Sequence, residues 1–231
     1  MIITKDIKLF QLINLNYHIL PVLNRFNICA GFGDKTIAQI CSEKNINSDF
    51  FLVIINTFLN PNYLPDIELK KFSLSLLIDY LSKTHKYYIN KLDELESLLK
   101  KVILSISDDK NISSILNFFS TYKQELLSHI QFEDNTIYPL ILKLENNPTD
   151  VQNKLIALNL KKFKNQHTNV EEKILDIKTL IIKYLPVKAN FSDCNLLIYQ
   201  LFDFERDLFN HQNIEDKVLI PKALEIIDKN L

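Results

Sequence analysis

The sequence predicts an all-α protein, with a small N-terminal helical domain over residues 1–64 and an up-down-up-down four-helix bundle over residues 72–231. Three observations lead to that class. Two glycines and seven prolines in 231 residues leave too few turn formers for a sheet protein. From Phe72 onward apolar residues recur at helical spacing. Short runs of Asp, Asn and Pro then cut that stretch into segments of bundle length.

In the N-terminal part, a helical segment ending near Phe26 leads into Gly31-Phe32-Gly33, which holds both glycines. Thr36 and Gln39 have capping-box spacing and open a short helix through Cys41 to Lys44. Ser48-Asp49 can cap another, which Pro61 stops. Asn60-Pro61-Asn62-Tyr63-Leu64-Pro65-Asp66 links this module to the bundle. The first bundle helix carries Leu74, Leu77, Ile78, Leu81, Tyr88, Leu92, Leu95, Leu98 and Leu99. After the breaker Asp108-Asp109-Lys110-Asn111, the second runs through Ile115, Phe119, Tyr122, Leu126, Ile130 and Ile137. Asn146-Asn147-Pro148-Thr149-Asp150 is the next breaker, with Thr149 and Gln152 spaced as a capping box for helix three. Residues Pro186 to Ser192 close that helix and open the fourth.

His85, His129 and Glu133 each recur 82 residues later, as His167, His211 and Glu215. The copies share more than these residues, since His129-x3-Glu133-Asp134-x4-Pro139 returns as His211-x3-Glu215-Asp216-x4-Pro221. A helix rises about 1.5 Å per residue, so residues equally far from a shared turn lie at one level. The midpoints between successive histidines fall at 107, 148 and 189, in or beside the three breakers. An up-down bundle therefore brings all four imidazoles to one layer. His and Glu four residues apart share a helix face, so both can reach the same interior point. Asp134 and Asp216, about 100° further round, are expected at the edge of the site or in solvent. Pro139 and Pro221 are expected to kink their helices just beyond it.

Four imidazoles and two carboxylates in an apolar layer would cost several kcal/mol per unpaired charge unless something neutralised them. Metal ions do so, and neutral imidazole with carboxylate suits borderline and hard ions. Two octahedral ions offer about twelve positions. The six side chains and one bridging oxide or hydroxide leave roughly two of them open. Structural zinc prefers a closed tetrahedron rich in Cys or His, so a non-haem di-iron centre fits better, with manganese as the weaker option. Open positions of this kind suit a small diatomic ligand or an oxidant, not a large substrate.

The remaining features exclude other classes. A formal net charge of −1 and a pI near 6.5 give no electrostatic reason to expect nucleic acid or an anionic membrane. The helix over Ser48 to Leu59 could stand in a helix-turn-helix, but it has no Lys or Arg to meet phosphates; it is expected to pack against the bundle or a second chain, as in a homodimer. No apolar run approaches the roughly 18 residues of a spanning helix, and the N-terminus does not read as a signal sequence. Cys29, Cys41 and Cys194 read as small buried hydrophobes kept reduced, which places the protein in the cytoplasm. No phosphate loop or nucleophile elbow supports hydrolase chemistry, so whether the chain is an enzyme stays open. His18 reads as a module-core or surface residue, and Tyr88 as bundle core.

The order His85, His129-x3-Glu133, His167, His211-x3-Glu215 resembles the hemerythrin-like cation-binding (HHE) family over about residues 72–229. Its four-His, two-Glu set resembles the iron–sulfur cluster repair branch more than the five-His oxygen carriers. The resemblance implies a four-helix bundle with two Fe ions in an oxo- or hydroxo-bridged centre, two His per iron, and both Glu bridging. It further implies a role in the response to nitric oxide and oxidative stress, with NO or O2 as ligands and damaged iron–sulfur proteins as partners. An O2- or NO-binding sensor or carrier without repair activity is the alternative. The N-terminal module also resembles the domain preceding the bundle in repair proteins, where a Phe-Gly-Ile-Asp-Phe-Cys-Cys-Gly-Gly turn is expected. Here the stretch is Phe26-Asn27-Ile28-Cys29-Ala30-Gly31-Phe32-Gly33-Asp34, with Gly31 and Phe32 in place of the paired cysteines. The single thiol of Cys29 can neither close a disulfide in the turn nor hold a cluster by itself.

Overall fold

A computed structural model describes residues 2–60, 62–64, 71–104, 110–146, 149–164, 168–185 and 190–229. Among the described residues the elements are helical and there is no strand; Lys8 and Thr36 form one isolated bridge. The elements are α1 Leu9–Leu15, a 3-10 turn Tyr17–Ile19, α2 Leu20–Arg25, α3 Ile37–Glu43, α4 Ser48–Leu59, α5 Leu74–Leu104 and α6 Lys110–Phe132. A π-helical turn Glu133–Ile137 follows, then α7 Tyr138–Leu142, a 3-10 turn Lys143–Asn146, α8 Asp150–Lys164, α9 Thr168–Tyr184 and α10 Phe191–Ile214. A second π-helical turn, Glu215–Leu219, leads into α11 Ile220–Lys229. The described residues pack as two compact units, one of residues 1–84, 140–157 and 210–231, the other of residues 85–139 and 158–209.

In the first unit the predicted capping box is present: the Gln39 N–H donates to Thr36 Oγ1 at 3.3 Å, and the Thr36 N–H donates to Gln39 Oε1 at 2.9 Å. The cap of α4 lies one residue earlier than predicted. Asn47 holds extended backbone and its Oδ1 accepts from the Phe50 N–H at 2.9 Å, so Ser48 is already helical. Helices α2 and α3 both end on asparagines at φ 54°, Asn27 and Asn45. The N–H of Ile28 then donates to Leu23 O at 2.9 Å and that of Ile46 to Cys41 O at 2.8 Å, which satisfies carbonyls at each helix end. Gly31 and Gly33, at φ 98° and 64°, place both glycines of the chain in one left-handed turn.

Helix α4 is interior. Phe50, Phe51, Val53, Ile54, Ile55 and Phe58 are buried, and Phe26 packs on Phe51 and Tyr80 with ring centres 5.0 and 5.2 Å apart. Its buried Asn56 brackets the backbone of Ile3, accepting from the N–H at 2.7 Å and donating to the carbonyl at 3.0 Å. Such two-ended pairing removes the desolvation cost of a buried amide. Burial on this scale is incompatible with a recognition helix lying in a DNA groove. His18 is half-buried in the 3-10 turn beside the Tyr17 ring.

The core of the second unit draws on four helices: Tyr88, Leu92, Leu95 and Leu99 from α5; Ile115, Phe119, Tyr122 and Leu126 from α6; Ile174, Ile177 and Ile181 from α9; Leu197, Leu201 and Phe204 from α10. These are the residues that the three-and-four spacing marks as one face of each helix. Each fully buried Leu, Ile or Phe contributes about 1.5–3 kcal/mol relative to exposure. Tyr88 is core, as expected. Its ring meets Phe204 edge-on, and its hydroxyl donates to Asp207 O at 2.8 Å. On the outer side Lys123 reaches Asp93 at 2.6 Å and also pairs with Glu96, tying α6 to α5. The Lys100 and Lys123 ammonium groups hold the Glu96 carboxyl below its ordinary range.

Predicted helix three is described as α8 and α9; residues 165–167, and with them His167, lie outside the described residues, as do Pro61 and the breaker residues Asp108 and Asp109. The Asn153 N–H donates to Thr149 O at 2.9 Å, but the Gln152 side chain of the predicted capping box is also outside the described residues. Asn190 opens α10, its Oδ1 accepting from Ser192 N–H at 2.9 Å and Asp193 N–H at 3.2 Å. No helix among the described residues is long and apolar enough to cross a membrane.

Cys41 and Cys194 are buried as expected, but Cys29 is exposed, which corrects its reading as a buried hydrophobe. The neighbouring Ile28 takes the inward position, at 2% exposure, and leaves Cys29 on the outside of the turn. Burial pushes the Cys41 thiol up to about 11 and raises that of Cys194. At pH 8 a thiol reagent should label Cys29 rapidly and the other two only on unfolding; fast labelling of Cys41, read by mass spectrometry, would contradict this packing.

Candidate metal centre

Helix α6 carries His129 to the point where the helix changes type. Glu133 is both the last partner of the His129 turn and the first residue of the π-helical turn, whose end is marked by the Tyr138 N–H bonded to Glu133 O. The second copy repeats this, with Glu215 opening its π-helical turn and the Ile220 N–H bonded to Glu215 O. Each turn ends two residues before a motif proline, Pro139 or Pro221. A proline cannot donate to the preceding turn and crowds its carbonyl, and a wider turn relieves that crowding. Where kinks are expected, the structure has a π-helical turn that opens at the acid of each copy.

The two oxygens of Glu133 face different imidazoles. Oε1 lies 2.8 Å from His129 Nε2, and Oε2 lies 3.0 Å from His85 Nε2. His85 and Glu133 are both about 1% exposed along their side chains, and His129 is 17% exposed, its ring lying near that of Phe163. In the second copy His211 Nε2 lies 3.6 Å from Glu215 Oε2, and both are buried. His85, Glu133, His211 and Glu215 each offer a ligating atom, and those atoms all lie within 4.8 Å of one another. His129 joins them through its contact with Glu133. His85, His129, Glu133, His211 and Glu215 of the six candidates thus lie among the described residues, and His167 lies outside them.

Of the two places expected for Asp134, it takes the edge of the site: its side chain is 34% exposed and its Oδ1 lies 2.9 Å from His85 Nδ1. A side chain turned about 100° from the helix's inward face points at the neighbouring helix, and here that neighbour presents His85. The contact orients the ring and leaves Nε2 toward the acids. Asp216, its counterpart, is half-buried with Oδ1 shielded from solvent. Sequence reasoning missed Tyr138. Its ring stacks on His85 with centres 5.4 Å apart and planes 7° apart, and its hydroxyl lies 3.4 Å from His85 Nε2. The available signal was a difference between the copies, Tyr138 against Ile220.

The donor set fits a cation. Glu133 and Glu215 bring two carboxylates into a place that is 0–1% exposed, and burying them costs several kcal/mol each unless positive charge comes with them. His85 faces a carboxylate at both ring nitrogens. Neutral imidazole has one N–H, so the second contact demands another positive group, either a proton or a metal ion.

A helical chain with a buried His and Glu cluster of this kind has the donor chemistry of a cation-binding protein. The family model of the hemerythrin HHE cation binding domain matches residues 76–223, and the chain belongs to this family. It is also similar to the iron-sulfur cluster repair protein ScdA of Staphylococcus haemolyticus (strain JCSC1435), with 21% identity over 203 residues that cover 85% of this chain and 87% of that protein. The match is therefore not confined to the metal-binding part.

If Asp134 orients a metal-binding imidazole, Asp134→Asn should lower metal affinity by about 10–100-fold while the fold is kept. Competition against a chelator measures it, and an unchanged affinity would refute the role.

Proposed function

We propose that this chain is a non-haem di-iron protein of the nitric oxide and oxidative stress response, acting in iron–sulfur cluster repair. The observation that carries the reading is the buried group of His85, Glu133, His211 and Glu215, with His129 on the second oxygen of Glu133. Under it, residues 72–231 form the up-down-up-down bundle and residues 1–64 a separate helical module. His85, His129, Glu133, His167, His211 and Glu215 would hold two Fe ions, with His167 taking the role in its copy that His85 takes in the first. When bound, the iron pair supplies a change of oxidation state and open positions for NO or O2.

The chain's own residues do the rest. Glu133, with its oxygens turned to two imidazoles, is shaped to span two ions. Asp134 fixes the His85 ring, and the apolar faces of four helices keep bulk water from the layer. A buried layer of this kind suits a diatomic molecule better than a large substrate. The mixed charge, the similarity to a repair protein and the absence of a long apolar helix among the described residues support a cytoplasmic protein whose partners are damaged iron–sulfur proteins. A homodimer is the assembly we favour.

One observation favours a second reading, a sensor or carrier that binds O2 or NO without repair. The turn at Cys29 to Gly33 has Gly31 and Phe32 where the related proteins are expected to carry paired cysteines.

Protein purified in air should contain about two irons per chain. His129→Ala and Glu215→Ala should lower iron content and thermal stability together, because metal binding is coupled to folding. Iron content unchanged in both variants, or a spectrum indifferent to NO, would overturn the assignment. Mixing the reduced protein with O2 separates the readings: a reversible spectral change supports a carrier or sensor, and irreversible oxidation supports repair chemistry.

A further inference from the structure

Helices α9 and α10 carry a second apolar face, turned away from the core they share with α5 and α6. Leu175 and Ile182 on α9, and Phe191, Tyr199, Phe202 and Phe209 on α10, are between 42% and 76% exposed. At about 100° per residue, Leu175 and Ile182 lie within about 20° of one another round their helix, and so do Phe191, Phe202 and Phe209 round theirs. Tyr199 stands about one turn before Phe202. The two rows meet at Lys178, which falls between Leu175 and Ile182 in sequence. Its ammonium pairs with Glu205 of α10 and sits 4.0 Å from the centre of the Phe202 ring. Lys178 is itself buried, so its charge does not interrupt the apolar surface.

The other side of the same unit is suited to water. Among the described residues of α5 and α6, the exposed large apolar side chains are Ile89 and Phe132, each at 39%. The outer surface there carries ion pairs, Lys91 with Glu94, and Lys100 and Lys123 with Glu96.

Area decides what the apolar face can hold. An aromatic side chain presents about 150–250 Å², so at these exposures the four rings leave on the order of 450 Å² uncovered, to which Leu175 and Ile182 add. The largest apolar patch on a typical monomer is about 300–600 Å². A stable interface buries about 800 Å² on each partner, about 65% of it apolar in homodimers. The face therefore supplies the apolar area of one half of a stable dimer. Helix α4, which the sequence offers to a second chain, is interior, so an assembly needs another surface. A two-fold contact sets one patch against itself and needs a border that is self-complementary. Arg206 and Asp203, both exposed on α10, give this border both signs.

We propose that a second copy of this chain covers the α9 and α10 face, forming a two-fold dimer. The proposal rests on the homodimer favoured above, not on the metal assignment, and supplies its surface.

Sedimentation equilibrium of the full chain as purified should give twice the chain mass of 27.1 kDa at micromolar concentration. Ile182→Lys and Tyr199→Lys alter side chains more than half exposed in the single chain and place a charge inside the apolar contact. Each should weaken the dimer about thirtyfold or more, with helicity and metal content unchanged. Leu15→Lys, at a 63% exposed position on α1, should leave the mass unchanged. A second measurement needs no variant: as the wild type is concentrated, amide hydrogen exchange should slow in peptides of α9 and α10. A wild type of single-chain mass throughout the micromolar range would overturn the dimer and this face together. A dimer that both lysine variants leave intact, or whose concentration-dependent protection lies outside α9 and α10, would overturn this face alone. Should both variants fail to fold, the exchange of the wild type decides.

Discussion

Two carboxylates shut away from water set the terms for this molecule. Glu133 and Glu215 are 0% and 1% exposed, and an isolated buried carboxylate is among the most expensive things a fold can contain. Imidazoles alone relieve the cost only by taking up protons. The same geometry that makes these acids costly makes them strong ligands, because a cation placed among them gains what water would otherwise have supplied. The family to which the chain belongs, defined by cation binding, is the expected home for such an arrangement.

Around that constraint the local structure is organised twice. In each copy an α-helix delivers a histidine, the acid follows one turn later, a π-helical turn begins at the acid, and a proline stands just beyond. Placing the irregular turn there leaves the His-x3-Glu face in regular helical register and puts the distortion on the far side of the ligands. The copies are not identical in what surrounds them. His85 is held by Asp134 on one nitrogen and overlaid by Tyr138, whereas the corresponding position to Tyr138 is the aliphatic Ile220. The repeat thus presents two alike sets of candidate ligands that differ at their margins.

Much of this could be read from the chain because the relevant forces are periodic or local. Apolar residues that the sequence marks at three-and-four spacing on α5 and α6, such as Leu92, Leu95, Phe119 and Tyr122, are found in the core, and the Thr36 capping box forms as its spacing requires. The repeat interval of 82 picks out His85, Glu133, His211 and Glu215 without any knowledge of packing, and their ligating atoms lie within 4.8 Å of one another. What escaped depends on neighbours that sequence does not display. The angle of Asp134 on its own helix puts it at the edge of the site or in solvent, but cannot show that His85 of another helix lies there to meet it. Cys29 was assigned inward by residue type, and Ile28 beside it had the stronger claim to burial. The Asn47 cap won over Ser48 because its side chain reaches the Phe50 amide from an extended backbone. The π-helical turns were hidden because a proline signals that a helix must adjust, not how.

The account stands or falls on whether the two copies each bring an ion to one buried layer. Anomalous diffraction at the iron edge from crystals of the aerobically purified chain is the most direct measurement. It should show two peaks, both beside the carboxylates of Glu133 and Glu215, with His85 and His129 among the coordinating rings. A single peak, or peaks away from these carboxylates, would contradict it.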